Sequence, residues 1–154
     1  MFLYRVIEAL KFDKVQFALA GGFAVALHGA VRGTIDLDIV VVLNLGNLVA
    51  LEKALTKLGL HSRIPVTAKE IHQFREEYIK KRNLIAWNFY NPKDPTELVD
   101  IILTHDAKKM KTVLVRSGGH SLPVLAIEEL IKMKNESGRP QDLEDIKALR
   151  SIRK

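Results

Sequence analysis

Thr34-Ile35-Asp36-Leu37-Asp38-Ile39-Val40 is the stretch on which the fold turns. As a β-strand it sends Ile35, Leu37 and Ile39 to one face and Asp36 and Asp38 to the other. Two carboxylates on one face repel, and burying them unpaired is costly, so the pattern calls for a cation between them or for open solvent. Magnesium suits such a pair, because it takes oxygen ligands and is commonly held by one or two carboxylates plus substrate phosphates. A third acid stands in Glu97-Leu98-Val99-Asp100-Ile101-Ile102-Leu103. As a strand this segment turns Asp100 away from Val99 and Ile101, and pairing it beside the first strand would complete a three-carboxylate cluster. Such a cluster can hold two cations, one activating an attacking hydroxyl and the other neutralising a departing pyrophosphate. Asp100, nearest the incoming acceptor, is then the candidate base. Upstream, Gly21-Gly22 sits between a short β-prone run and a short helix, where free amides and the absence of a side chain suit a grip on phosphate. Arg32 has three open readings: neutralising the carboxylates, contacting phosphate, or forming a surface pair.

Toward the N-terminus, Leu3, Val6, Ile7 and Leu10 predict a helix over 2–12, and Val15 to Ala20 a strand ending in a tight turn at the two glycines. A short buried helix over 23–28 ends at Gly29, where a protonated His28 would suit the helix dipole. The acidic strand is predicted over 34–43. Asn47 is read as the cap of a helix reaching Leu58, and Thr67 as the cap of another from Ala68 to about Lys81. Two strands, 84–90 and 97–103, are joined by the turn-rich Asn91 to Pro95, and a third candidate strand over 112–116 leads through Ser117-Gly118-Gly119 into the segment 121–125. Ile85, Trp87 and Phe89 share a strand face and read as core. The end is helical, 127–135 and 140–152, broken at Gly138. The expected class is α+β: a mixed α/β sheet with helices packed on it and a short C-terminal helical tail, in one domain spanning 1–154 with its core about 15–116 and its last helices about 126–152.

Hydrophobic residues at 47% and charged residues at 27% exclude a disordered chain. The absence of cysteine excludes disulfides, thiolate metal sites and a cysteine nucleophile, and the five histidines have no zinc-ligand spacing. Arg5 and Glu8 interrupt the N-terminal apolar run, and no stretch is apolar for the roughly 20 residues of a membrane span, so a cytoplasmic protein without membrane contact is expected. A net charge of +6 favours polyanionic partners and tilts the expected acceptor toward RNA. The basic residues concentrate at Lys80 to Arg82, Lys108 to Lys111 and Arg150 to Lys154.

Gly21-Gly22, thirteen residues, Asp36-Leu37-Asp38 and then Asp100 resembles the signature of the DNA polymerase β-type nucleotidyltransferase superfamily. Ala20-Gly21-Gly22-Phe23-Ala24, His28-Gly29, Arg32 and Thr34 extend the likeness to the small branch that includes the AbiEii/AbiGii-type toxins, as does the basic-then-acidic tail from Leu130 to Ile146. The resemblance implies a nucleotidyltransferase fold. It further implies an enzyme moving a nucleoside monophosphate from an NTP to a hydroxyl or phosphate acceptor, which could be RNA, protein or a small molecule. By this resemblance Asp36 and Asp38 bind Mg²⁺ or Mn²⁺, and Asp100 completes the metal site and serves as base. Gly21 and Gly22 bind phosphate, while Lys134 and Arg139 reach the nucleotide or its acceptor. The larger C-terminal helical domain with which many toxins of that branch hold their targets is not expected here. The alternative reading is a non-catalytic nucleotide- or partner-binding module of the same fold, for example one half of a toxin–antitoxin pair; a partner protein or a homodimer is left open.

Overall fold

Leu3, Val6, Ile7 and Leu10 form one stripe of helix α1 (Phe2–Phe12), and all four are buried, so the chain begins by laying an amphipathic helix on the core. In the computed structural model, which describes residues 1–153, β1 (Phe17–Ala20) runs directly into α2 (Gly21–Leu27), and β2 (Leu37–Val41) comes after an irregular segment. Next come α3 (Leu45–Lys57), the two-residue β3 (His61–Ser62), α4 (Ala68–Arg82), and a hairpin of β4 (Ala86–Asn91) and β5 (Asp94–Asp106). A single 3₁₀ turn (Ala107–Lys109) leads to a second hairpin, β6 (Thr112–Ser117) and β7 (His120–Leu125), before α5 (Ile127–Ser137) and α6 (Pro140–Arg153). The predicted basic run at the C-terminus ends at Lys154, outside the described residues. Among those described, no helix is long and apolar enough to cross a membrane.

The strands form one sheet in the order β3-β4-β5-β2-β1-β7-β6. β2 is antiparallel to β1 and parallel to β5, and β7 is parallel to β1, which gives the mixed sheet of the expected α+β class. Register decides which side chains meet. Asp38 on β2 stands opposite Asp100 on β5, which stands opposite Asn88 on β4. Strand alternation sends the neighbouring rows, Ile39-Ile101-Trp87 and Leu37-Val99-Phe89, to the other face, where all six side chains are buried. Trp87 and Phe89 are core, as their spacing predicts, but Ile85 lies just ahead of β4 and is 57% exposed.

Three local expectations change. Gly21 and Gly22 are the first residues of α2 rather than a turn before it. β2 begins at Leu37, so Ile35 and Asp36 precede the ladder; Ile35 is exposed, not core. Against β1 the ladder ends with Asp38 opposite Ala20, where the chain turns into α2, and Leu37 is paired with Val99 of β5 alone. Asn44, not Asn47, caps α3: its side chain accepts a hydrogen bond from the Asn47 amide at 2.8 Å.

Asn47 is buried and performs a different task. Its side-chain oxygen accepts from the Gln16 N–H at 2.8 Å, and its amide nitrogen donates to the carbonyls of Gln16 (2.9 Å) and Val42 (2.8 Å). It thus joins the approach to β1, the exit of β2 and the first turn of α3. Asn47→Ala should leave these backbone groups unpaired and lower the unfolding free energy by about 2–3 kcal/mol. Urea denaturation checks this, and an unchanged midpoint would show that the clasp carries no stability.

Candidate active site

Gly21 takes φ +62, and a methyl group there would overlap the carboxylate of Asp38. A Cβ on Gly22 would sit 2.9 Å from the Cβ of Thr34. The two glycines therefore let the start of α2 press against β2 and the segment leading into it, a close approach that a side chain at either position would block.

Asp38 and Asp100, matched in register, share the floor of a cleft of about 620 Å³. Gly21 and Asp36 stand at its edge, Ile85, Ala86 and Ile102 extend one wall, and Leu130, Met133, Lys134, Ser137 and Arg139 from the α5–α6 region form the other. Burial raises the proton affinity of Asp38 most, and the charges of Asp100 and Asp36 add to it against the pull of Lys134 and Arg139, so its pKa is pushed up to about 7. Asp100 is also raised, chiefly by burial; the Asn88 amide, donating to its Oδ1 at 2.6 Å, works the other way.

Asp36 is exposed, and among the described residues no three His, Cys, Asp or Glu side chains are close enough to hold an ion as they stand. The expected cluster of three is in this structure a close pair with a third carboxylate at the cleft edge. The pair still fits a hard divalent cation: its donors are all oxygen, its charge is incompletely neutralised by protein, and magnesium needs only one or two carboxylates when phosphates supply further ligands.

Lys134 and Arg139 line the cleft, but each already has a partner. The Lys134 Nζ is buried 2.8 Å from Asp145 and 3.6 Å from Asp142. Arg139 Nε donates to Asp142 at 2.9 Å, and the Arg139 backbone N–H to the same oxygen at 3.0 Å, so Asp142 also closes the N-terminus of α6. Burial pushes Asp142 up, yet the hydrogen bonds from Arg139 and Ser137 prevail and hold its carboxyl well below the usual carboxylate range. Asp145, opposed likewise by burial, is lowered by Lys134 and Gln141. Arg32 is not among the cleft-lining residues; its Nε lies 3.1 Å from Asp145. Asp142 and Asp145, which the sequence shows only as part of the acidic half of the tail, are buried anchors. Their signal is present in the tail: two acids three apart in a helix that also buries Ile146 and Leu149. Asn88 has no signal of this kind, because only strand pairing makes it a neighbour of Asp100.

The sequence matches no protein-family model and no curated protein. Solved structures do match. The antibiotic-resistance factor ANT(2'')-Ia superposes with a TM-score of 0.67 at 12% identity, over 96% of this chain and 80% of its own. The lincosamide antibiotic adenylyltransferase LnuA, bound to lincomycin, gives 0.65 at 16%, over 98% of this chain and 96% of its own. A Thermotoga maritima protein assigned as a nucleotidyltransferase gives 0.62 at 18%, over 94% and 88%. The fold is that of the nucleotidyltransferases. Identities this low establish the fold alone.

The nucleotidyltransferase fold here carries a measurable penalty. Well below its ordinary value of 3.8 Asp38 is protonated whether folded or not; between 3.8 and about 7 the folded chain holds a proton that the unfolded chain has lost, so stability falls as pH rises, and the full penalty is present above about 7. Asp38→Asn should remove it, stabilising the protein by about 2–4 kcal/mol at pH 8 and scarcely at pH 4. Thermal unfolding at the two pH values checks this, and a gain that shrank with rising pH would contradict the assignment. Mg²⁺ should stabilise the unmodified protein more at pH 8 than at pH 5.5, since Asp38 must shed its proton to hold a cation.

Proposed function

We propose that the protein is a metal-dependent nucleotidyltransferase that moves a nucleoside monophosphate from an NTP to a hydroxyl or phosphate acceptor and releases pyrophosphate. The observation that carries this reading is the Asp38–Asp100 pair on the floor of a cleft whose opposite wall presents Lys134 and Arg139, on a nucleotidyltransferase fold. Membership of the DNA polymerase β-type superfamily accords with the fold; the toxin-like branch rests on the sequence motifs alone.

In this reading Asp38 and Asp36 hold Mg²⁺ or Mn²⁺, with Asp100 completing the set. The bound ion would neutralise phosphate charge and lower the proton affinity of the attacking hydroxyl. Gly21 and Gly22 form the surface on which the triphosphate lies, and Lys134 and Arg139 face it from α5 and the start of α6. Asp142 and Asp145 fix those two cations in place, and Arg32 acts through Asp145. Asp100 takes the proton of the acceptor hydroxyl as its oxygen bonds to the α-phosphorus. The bond from that phosphorus to the bridging oxygen breaks, and pyrophosphate leaves with the electron pair. The raised proton affinity of Asp100 suits a base.

The structures of LnuA with lincomycin and of ANT(2'')-Ia with adenylyl-2''-tobramycin make those two antibiotics the first acceptors to try, beside RNA and cell extract, with ATP as first donor. Transfer of α-labelled nucleotide in the presence of Mg²⁺ or Mn²⁺ is the expected result. Asp100→Asn should reduce the rate by about 10²–10⁴-fold while MgATP still binds. A variant as fast as the unmodified enzyme would remove Asp100 from the chemistry. Binding of MgATP without transfer to any acceptor would favour the alternative, a nucleotide-binding module.

A further inference from the structure

The cleft does not stop at Asp100. β5 continues to Asp106, and Ile102 and Thr104 extend the face that carries Asp100. Thr104, His105, Met133 and Glu136 line both the cleft and a second hollow of about 390 Å³. At the passage His105 is held on both ring nitrogens: Nδ1 lies 2.8 Å from Thr104 Oγ1 and Nε2 lies 2.9 Å from Glu136 Oε1.

We propose that this hollow is the subsite that holds the body of the acceptor, and that it takes a small hydroxylated molecule rather than a polynucleotide. The inference rests on the transferase reading and adds to it the class of acceptor. Asp100 stands between the end of the cleft bearing Gly21 and Asp38 and the direction in which β5 leads to the hollow. A hydroxyl delivering its proton to Asp100 while a triphosphate occupies the glycine end therefore approaches from the hollow.

The charge of the hollow argues against a polyanion. Arg75, Lys109 and Lys132 are matched by Asp106, Glu129 and Glu136, three cations against three anions. A nucleic acid gains affinity by neutralising phosphates with an excess of Lys and Arg, and no excess exists here. Of the basic concentrations in the sequence, Lys80 to Arg82 lines neither space, and the run from Lys108 to Lys111 contributes only Lys109, already counted among the three cations. Met110, Met133 and Ile102 add apolar surface along the route. The hollow is lined mainly by polar and charged side chains of balanced sign, with Met110 and Met133 among them, and its volume and mixed charge suit a small polar molecule.

The test uses the full chain with α-labelled ATP and Mg²⁺, offered either purified total RNA or an ultrafiltrate of cell extract. Label is expected in the ultrafiltrate and absent from acid-precipitable RNA. Met110→Trp, which fills the hollow and leaves the cleft untouched, should raise the KM for the labelled small acceptor by about tenfold or more with the KM for ATP unmoved. Lys132→Trp, at an exposed position on α5, serves the same purpose if Met110→Trp does not fold. Labelled RNA whose yield drops in Lys109→Glu would overturn the proposal, and so would fillers that leave the acceptor KM unchanged. No label in either fraction with MgATP still bound would instead overturn the transferase reading and this one with it.

Discussion

Two carboxyl groups held opposite each other on adjacent strands, inside a wall that burial makes inhospitable to charge, set the terms for the rest of this molecule. Asp38 and Asp100 cannot be separated without breaking the β2–β5 register, and that register is fixed from the other face of the sheet by Ile39 against Ile101 and Leu37 against Val99. A slip of one residue would turn the acids into the core and the aliphatic side chains into the cleft. Hydrophobic packing on one face thus enforces electrostatic repulsion on the other.

Neighbouring elements accommodate that repulsion. α2 opens with glycines because any side chain at its first position would displace Asp38. Across the cleft, Lys134 and Arg139 bring positive charge within reach of Asp38, but they are anchored by Asp142 and Asp145 and do not fully neutralise it. The result is a cleft polarised from floor to wall, with the acids on rigid strands and the cations on a pair of helices that meet at Gly138, a left-handed C-cap. Such a field is organised before any ligand enters, which is the condition under which fixed charges are most effective on a reacting group.

Much of this was legible in the amino-acid sequence because period-two alternation is a local property. Thr34 to Val40 and Glu97 to Leu103 each announced an acidic and an apolar face, and the turn-rich Asn91 to Pro95 announced a hairpin. What alternation alone could not reveal was where pairing stops. Asp36 lies outside β2 although β5 continues past the partner of Leu37, so alternation that holds on both sides of Leu37 does not mark the end of the ladder. The role of Asn47 escaped for a similar reason: capping chemistry is shared by Asn44 and Asn47, and only the approach of Gln16 and Val42 distinguishes them. Arg32 had three possible partners in one dimension and has Asp145 in three. Burial of Asp142 and Asp145 depends on the docking of α6 beside α5, which helical periodicity does not specify.

The length of β5 divides labour by parity. Its odd positions, Val99, Ile101 and Leu103, are sealed in the interior, while Asp100, Ile102 and Thr104 look into the open space. Substitutions at Ile102 or Thr104 therefore alter the lining of the cleft without touching the residues that keep the sheet together. The strand thus separates the positions that hold the sheet together from those that shape the open space beside it.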